Sequence, residues 1–275
     1  MRVSAVRRSP SWLDLLEAVM TWITATYEPI SLFSLRPYHA TTSGGKTLLA
    51  PTAFTIKMAL LSASISLEGL ETGQRRFSQI RDLRIALALP EQIVLLKSFA
   101  KIRRLFESKD SQKKDETVED FKARQQQKIG DLLERGQYPF QSTIAYREFV
   151  QFGGSLQLAL TSPQGEPPAW LSDLLPAVNY LGKRGSFLQI ASQPEMQEEL
   201  AANFIEITRD STEFPFDGTL QNLDDCGNTM TFEHADIYNS KRITLGKERI
   251  IRHVVLPYRL AQSSRGYSRY ERILA

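Results

Sequence analysis

Apolar and polar positions change their spacing several times along the 275-residue chain. Residues 21–35 (TWITATYEPISLFSL) are β-branched and aromatic with partial alternation, which predicts a strand or a bent pair of strands. Pro37 closes that run, since proline donates nothing to a ladder and holds Arg36 extended. In 52–66, Ile56, Ala59, Leu60 and Ala63 recur at helical spacing behind Thr52, a good N-cap. Residues 84–89 predict a short strand stopped by Pro90, and 91–106 a helix. Residues 107–135 are dominated by Lys, Asp, Glu and Gln, the composition of an exposed helical arm or hairpin insert.

Residues 143–150 and 156–161 predict two strands, read as a hairpin through Gly153-Gly154. A Pro-rich loop leads to a short helix near Trp170, and the loop 179–187 runs into a further strand. The stretch 191–240 reads as loops with one strand, 203–208. Residues 249–257 (RIIRHVVLP) alternate basic and apolar positions and read as the last strand, before a basic, aromatic tail at 258–275. Strands and helices mix without regular alternation, so the fold class is α+β with a mainly antiparallel sheet. Their order is compatible with a split-βαβ, ferredoxin-like core.

Composition adds exclusions. The single Cys226 rules out a disulfide framework and a thiolate zinc site within one chain, and fits a reducing, cytoplasmic setting. No apolar run reaches the roughly 18 residues of a membrane span, and Asp14 and Glu17 interrupt any signal peptide. The formal net charge of +3 hides a segregation. Residues 1–190 carry 24 Lys/Arg against 18 Asp/Glu, 191–240 one against 11, and 241–275 nine against two. A segregated charge leaves a nucleic-acid partner open where an even mixture would argue against it.

Residues 40–47 (ATTSGGKT) imitate a phosphate-binding loop, with Lys46 and Thr47 in the working positions. Pro51 falls where the helix of such a loop should begin, and no apolar strand ends in a magnesium-holding Asp. A nucleotide enzyme is therefore disfavoured, and no cofactor is expected. The histidines, His39, His234 and His253, lack metal-ligand spacing. His39 has the chemistry of a general base and equally of a loop contact to backbone or phosphate. Asp224-Asp225 reads as a turn.

Three clusters join cationic and planar side chains: Arg36/Tyr38/His39/Lys46, Lys183/Arg184/Phe187 and Arg259/Arg265/Tyr267/Arg269/Tyr270. Guanidinium forks suit phosphates, and aromatic rings stack on unpaired bases. The runs LFSLRPYHATTSGGKTLLAPTAFTIKMALLSASI (32–65), YREFVQFGGSLQLAL (146–160) and NYLGKRGSF (179–187) resemble CRISPR-associated protein family five (Cas five), of the RAMP superfamily. The resemblance spans roughly residues 20–191.

That resemblance implies a ferredoxin-like (RRM-like) RAMP domain with an antiparallel sheet. It implies a non-catalytic subunit of a type I CRISPR effector complex (Cascade) that binds the 5′ handle of the guide RNA (crRNA). Such a subunit caps the filament of backbone RAMP subunits and contacts the large subunit, reaching target DNA indirectly. Arg36, Tyr38, Thr42, Ser43 and Lys46 would lie near the handle, with Lys183, Arg184 and Phe187 as a second surface. His39, Lys57, Arg147, Arg265 and Tyr267 complete the candidate RNA contacts. Some relatives cut precursor RNA with tyrosine, lysine and histidine, so an endoribonuclease using Tyr38, His39 and Lys46 is the alternative. The expected division is an N-terminal extension at 1–19, the RAMP domain at 20–191 with its insert at about 100–140, and a C-terminal part at 192–275.

Overall fold

The computed structural model describes residues 20–40, 44–108 and 110–273; the proposed extension 1–19 and the candidates Thr42 and Ser43 lie outside them. In chain order the strands are β1 (Trp22–Pro29), β2 (Gly44–Gly45), β3 (Arg84–Ala88), β4 (Gln92–Leu105), β5 (Phe140–Phe152) and β6 (Leu156–Thr161). They continue with β7 (Leu188–Ile190), β8 (Glu195–Gln197), β9 (Ile205–Glu206), β10 (Thr219–Cys226), β11 (Arg249–Leu256), β12 (Tyr258–Ser263) and β13 (Tyr267–Arg272). The helices are α1 (Ala53–Glu68), α2 (Leu70–Asp82), α3 (Val118–Glu134), α4 (Leu171–Leu174) and α5 (Phe232–Ala235). Among the described residues no helix is long and apolar enough to cross a membrane.

The first sheet runs β7-β1-β6-β3-β9 with every pairing antiparallel, and β8 adds to the β7 edge of β1. Helices α1 and α2 connect β1 to β3, and α4 connects β6 to β7. Removing β8 and β9 leaves a βαββαβ unit in the spatial order fourth-first-third-second, which is the ferredoxin-like split βαβ. The α+β, antiparallel expectation therefore holds. Thr52 caps α1 as read, its hydroxyl accepting from the Thr55 N–H at 3.1 Å. Ile56 and Leu60 of α1 are sealed against Tyr27, Ile85, Leu158 and Leu160 of the sheet. Each such apolar side chain contributes about 1.5–3 kcal/mol on leaving water. The Tyr27 hydroxyl, which burial pushes to a higher pKa, donates to the Leu175 carbonyl at 2.7 Å.

The second sheet, β12-β13-β4-β5-β2, holds the main departures from the sequence reading. Residues 91–106 are a strand and not a helix. The ladder between β4 and β5 is continuous from Ile93↔Phe152 to Leu105↔Phe140, and α3 sits at its far end. The unbroken run Ile93-Val94-Leu95-Leu96 suits either period, and the partner that decides is about fifty residues away in sequence. The insert thus combines a long hairpin with a helix inside its tip. Gly153-Gly154 is not the turn of a hairpin, since β5 pairs with β4 while β6 pairs with β1 and β3. It is the bend where the chain changes sheets, with the Gly153 N–H on the Gln92 carbonyl at 3.0 Å.

Residues 249–257 are not the last strand. The basic tail folds as the β12–β13 hairpin, and β13 pairs with β4. The acidic stretch contributes β8, β9 and β10, and β10 pairs with β11 against α1. Asp224-Asp225 closes β10 in place of forming a turn. Both carboxylates are buried, Asp224 on Arg249 at 2.5 Å and Asp225 on Lys57 at 2.6 Å.

Candidate nucleic-acid interface

Beyond Pro29 the chain leaves the first sheet and threads between two elements. The Phe33 N–H donates to the Val150 carbonyl of β5 at 2.8 Å, and Val150 returns the bond at 2.7 Å. On the other side, Ser31 Oγ donates to the Gly185 carbonyl at 2.7 Å and accepts from the Phe187 N–H at 2.6 Å. The Ser34 N–H reaches the buried Ser186 hydroxyl at 3.1 Å. Segment 30–35 therefore ties β5 to the loop at 185–187, which lies about 150 residues further along the sequence than the segment itself.

The loop that follows is pinched at its base, where the Leu48 N–H meets the Leu35 carbonyl at 2.7 Å and Thr47 Oγ accepts from the Leu35 N–H at 3.1 Å. The Thr47 N–H is held by the buried Glu148 carboxylate at 3.1 Å, whose other oxygen accepts from Tyr146 Oη at 2.6 Å. Arg36, His39 and Lys46 stand exposed on this loop, and Tyr38 sets its ring edge-on to His39 at 4.8 Å. Gly44–Gly45 pairs in parallel with Tyr146–Arg147. A Cβ at Gly45 would come within 2.7 Å of the Tyr146 carbonyl, so the close approach needs glycine. Gly44 and Gly45 of the phosphate-loop imitation thus lie along a strand, and α1 begins only at Ala53.

Arg147, from the second run, lies beside this loop. Burial first, then repulsion from Arg36 and Arg104, lowers its guanidinium pKa, so the three arginines share one neighbourhood. Arg104 is a contributor that sequence reasoning missed. Its register opposite Gln141, with Ser98 opposite Arg147, sets Arg104 and Arg147 on the same face of the hairpin. Only the alternation of a strand exposes that relation.

The second loop carries Lys183, Arg184 and Phe187, all exposed. It turns on Gly182 and Gly185 at φ +77° and +102°, values that side chains resist. Between this loop and α1 lies a groove of about 400 Å³, walled by Ala59, Ser62, Ala63 and Ser66 on one side and by Tyr180, Arg184 and Phe187 on the other. No carboxylate lines it. Tyr180, which the sequence reading quoted without a role, sits 3.4 Å from Ser62 Oγ. The groove joins small helix residues, two rings and a guanidinium, a combination suited to a flat, anionic ligand.

The third cluster divides. Tyr267 pairs opposite Leu96, and Arg265 is exposed in the turn whose Gly266 carbonyl accepts from the Lys97 N–H at 2.8 Å. Both lie across the second sheet from the Arg36–Lys46 loop, with β4 and β5 between, about 14 Å away. Arg269 pairs with Glu271 at 3.1 Å, and the Tyr270 ring packs on the core.

Lys57 is the clear correction. Its side chain is 2% exposed, with Nζ 2.6 Å from Asp225 Oδ1 across the interface of α1 and β10, so it is a core cation with no surface to offer RNA. Burial raises the Asp225 carboxyl pKa against the pull of Lys57 and of the Cys226 N–H. Among the described residues no ion pair reaches Arg36, Lys46, Lys183, Arg184 or Arg265.

No protein-family model matches the sequence, and no curated protein matches it. Among solved structures, the chain is similar to one described as a CRISPR protein from Archaeoglobus fulgidus, with a TM-score of 0.43, 10% identity and 92% of each chain covered. It is similar also to a chain of a CRISPR RNA-guided surveillance complex, with a TM-score of 0.37, 13% identity, and 92% of this chain and 89% of that one covered.

Proposed function

We propose that the chain is a guide-RNA-binding subunit of a type I CRISPR effector complex. It grips the 5′ handle on the loops at 36–46 and 183–187 and does not cut it. The observation that carries this reading is the stitching of those two loops through Ser31 and Ser34, which joins four cations that form no ion pair among the described residues to the loop whose Arg184, Tyr180 and Phe187 wall a groove. A phosphate chain needs such cations, and their desolvation is not already offset by an internal partner. The hairpin of β4 and β5 supports assembly with other subunits: Phe99 and Ile144, 70% and 73% exposed, are apolar side chains that a partner would cover. In this reading that hairpin faces the backbone filament, the chain caps its end, and another face meets the large subunit that engages target DNA.

Binding of labelled handle RNA to the full chain tests the reading. Wild type binds with an affinity that falls with salt, and Arg36→Glu/Lys46→Glu/Lys183→Glu loses about a hundredfold or more while its circular dichroism stays unchanged. Unchanged affinity in that variant, or accumulation of a cleaved product with the wild-type chain alone, would overturn it.

A further inference from the structure

At the opposite end of the first sheet, the length of β1 away (about 25 Å), the molecule has a cleft of about 590 Å³. It opens between the end of α2, the start of β3, the segment after β9 and the exposed side of β11. Five cations and three carboxylates line it. Three of the cations are committed. Arg81 holds Asp82 through two bonds at 2.7 and 2.8 Å, Arg84 holds Glu206 through two at 3.0 and 2.7 Å, and Lys57 holds Asp225. The remaining two are Arg209 and Arg252. Arg209 is 67% exposed and only 3.5 Å from an oxygen of Glu206 that Arg84 already occupies. Arg252 reaches Asp210 at 3.4 Å, and its Nε is buried with no hydrogen-bond partner.

We infer that this cleft is a phosphate-binding site, with the ligand's phosphoryl group seated between Arg252 and Arg209. Neither guanidinium is saturated: Arg209 meets only an oxygen it shares with Arg84, and Arg252 makes one long bond, to Asp210. Two guanidinium forks from separate elements offer more parallel N–H groups than the two oxygens of a carboxylate can take; the oxygens of a phosphate match them. The volume admits a ligand of nucleotide size. The ligand is a free phosphate compound or the phosphodiester chain of a nucleic acid, and the site is independent of the proposed handle surface.

The test titrates the full chain with inorganic phosphate, AMP, acetate and a short single-stranded DNA, in wild type, Arg209→Glu and Arg209→Gln/Arg252→Gln. Phosphate and AMP should bind saturably and raise the melting temperature of wild type. Their Kd should rise about tenfold in either variant, and handle-RNA affinity should stay as in wild type. Arg209→Glu alters an exposed side chain, so it keeps the test valid if the double variant folds poorly. DNA that competes with AMP and weakens in parallel assigns the site to a nucleic-acid backbone, whereas AMP binding without DNA competition assigns it to a free ligand. No phosphate binding in wild type, unchanged Kd in both variants, equal affinity for acetate, or a matching loss of handle-RNA affinity would each overturn the inference.

Discussion

The two ends of the ferredoxin-like sheet carry similar numbers of cations and treat them in opposite ways. At the loop end, Arg36, Lys46, Lys183 and Arg184 are exposed on glycine-containing loops and form no ion pair among the described residues. At the cleft end, Arg81, Arg84 and Lys57 are each locked to a carboxylate at hydrogen-bonding distance. The same side-chain types are ligand groups in one place and structural ties in the other. What separates them is the location of the acidic residues: Arg81 is held by its neighbour Asp82, while Glu206 and Asp225, the partners of Arg84 and Lys57, come from the acidic span 191–240. That span returns to the protein interior, ties Arg84 and Lys57 at the cleft end and Arg249 through Asp224, and forms no ion pair with the four loop cations among the described residues. Segregated charge along a sequence therefore predicts where cations stay uncompensated only after the acidic segment has been placed.

The largest expected effect is on the locked side. Lys57→Ala leaves Asp225 buried without its partner and should cost about 3–5 kcal/mol in urea unfolding, whereas Lys57→Met/Asp225→Leu should recover most of that loss. Equal instability of the single and double variants would break the contrast between ties and ligand groups. An intermediate effect belongs to the loop end. Phe187→Ala should weaken handle RNA by about 1–3 kcal/mol without moving the unfolding midpoint, and Phe187→Tyr should restore binding. A shift in stability with no shift in affinity would make Phe187 a structural residue.

The smallest effect sharpens the comparison through pH. Burial pushes the Glu206 carboxyl up, but the Arg84 guanidinium, the Thr208 hydroxyl and Arg209 outweigh it, so the folded-state pKa lies below the ordinary value. The stability this provides is complete above the unfolded carboxylate pKa of about 4.3 and is lost as pH falls through the folded value. Thermal unfolding from pH 5.5 to 3 should therefore fall more steeply in wild type than in Glu206→Gln, by on the order of 1 kcal/mol. Parallel curves would remove Glu206 from the set of ties.

The elements that were legible in the sequence are those whose signal is local. The Thr52 cap, the helical spacing of Ile56 to Ala63 and the Pro90 stop need no distant partner, and together with the strand order they gave the ferredoxin-like core. What failed depended on pairing. The run at 91–106 becomes a strand because β5 lies beside it, and the tail becomes a hairpin because β4 offers an edge to Tyr267–Arg272. Lys57 looked like a helix-surface cation because its counter-ion lies 168 residues away. For the candidate site, the cation and ring types of both loops were legible. Their adjacency was not, because it depends on the hydroxyls of Ser31 and Ser186, which carry no signature in sequence. Arg104 stayed hidden because its stretch read as a helix, and Tyr180 because its neighbour Ser62 lies on a helix 118 residues away.

The position of the β4–β5 hairpin inside the core unit has a consequence for the order in which the protein can be built on the ribosome. β1 can close its register with β6 only when residue 160 has emerged, since Ile23 pairs with Leu160. The fourth strand of the sheet, β7, follows at Leu188–Ile190, and the edge of β4 stays open until β13, ending at Arg272, has been made. Every closing contact is thus long-range, and long-range pairing is slow and leaves strand edges exposed while it waits. A nascent chain of this protein presents an unfinished sheet until Tyr267–Arg272 has been made, and that strand is the one that seals it.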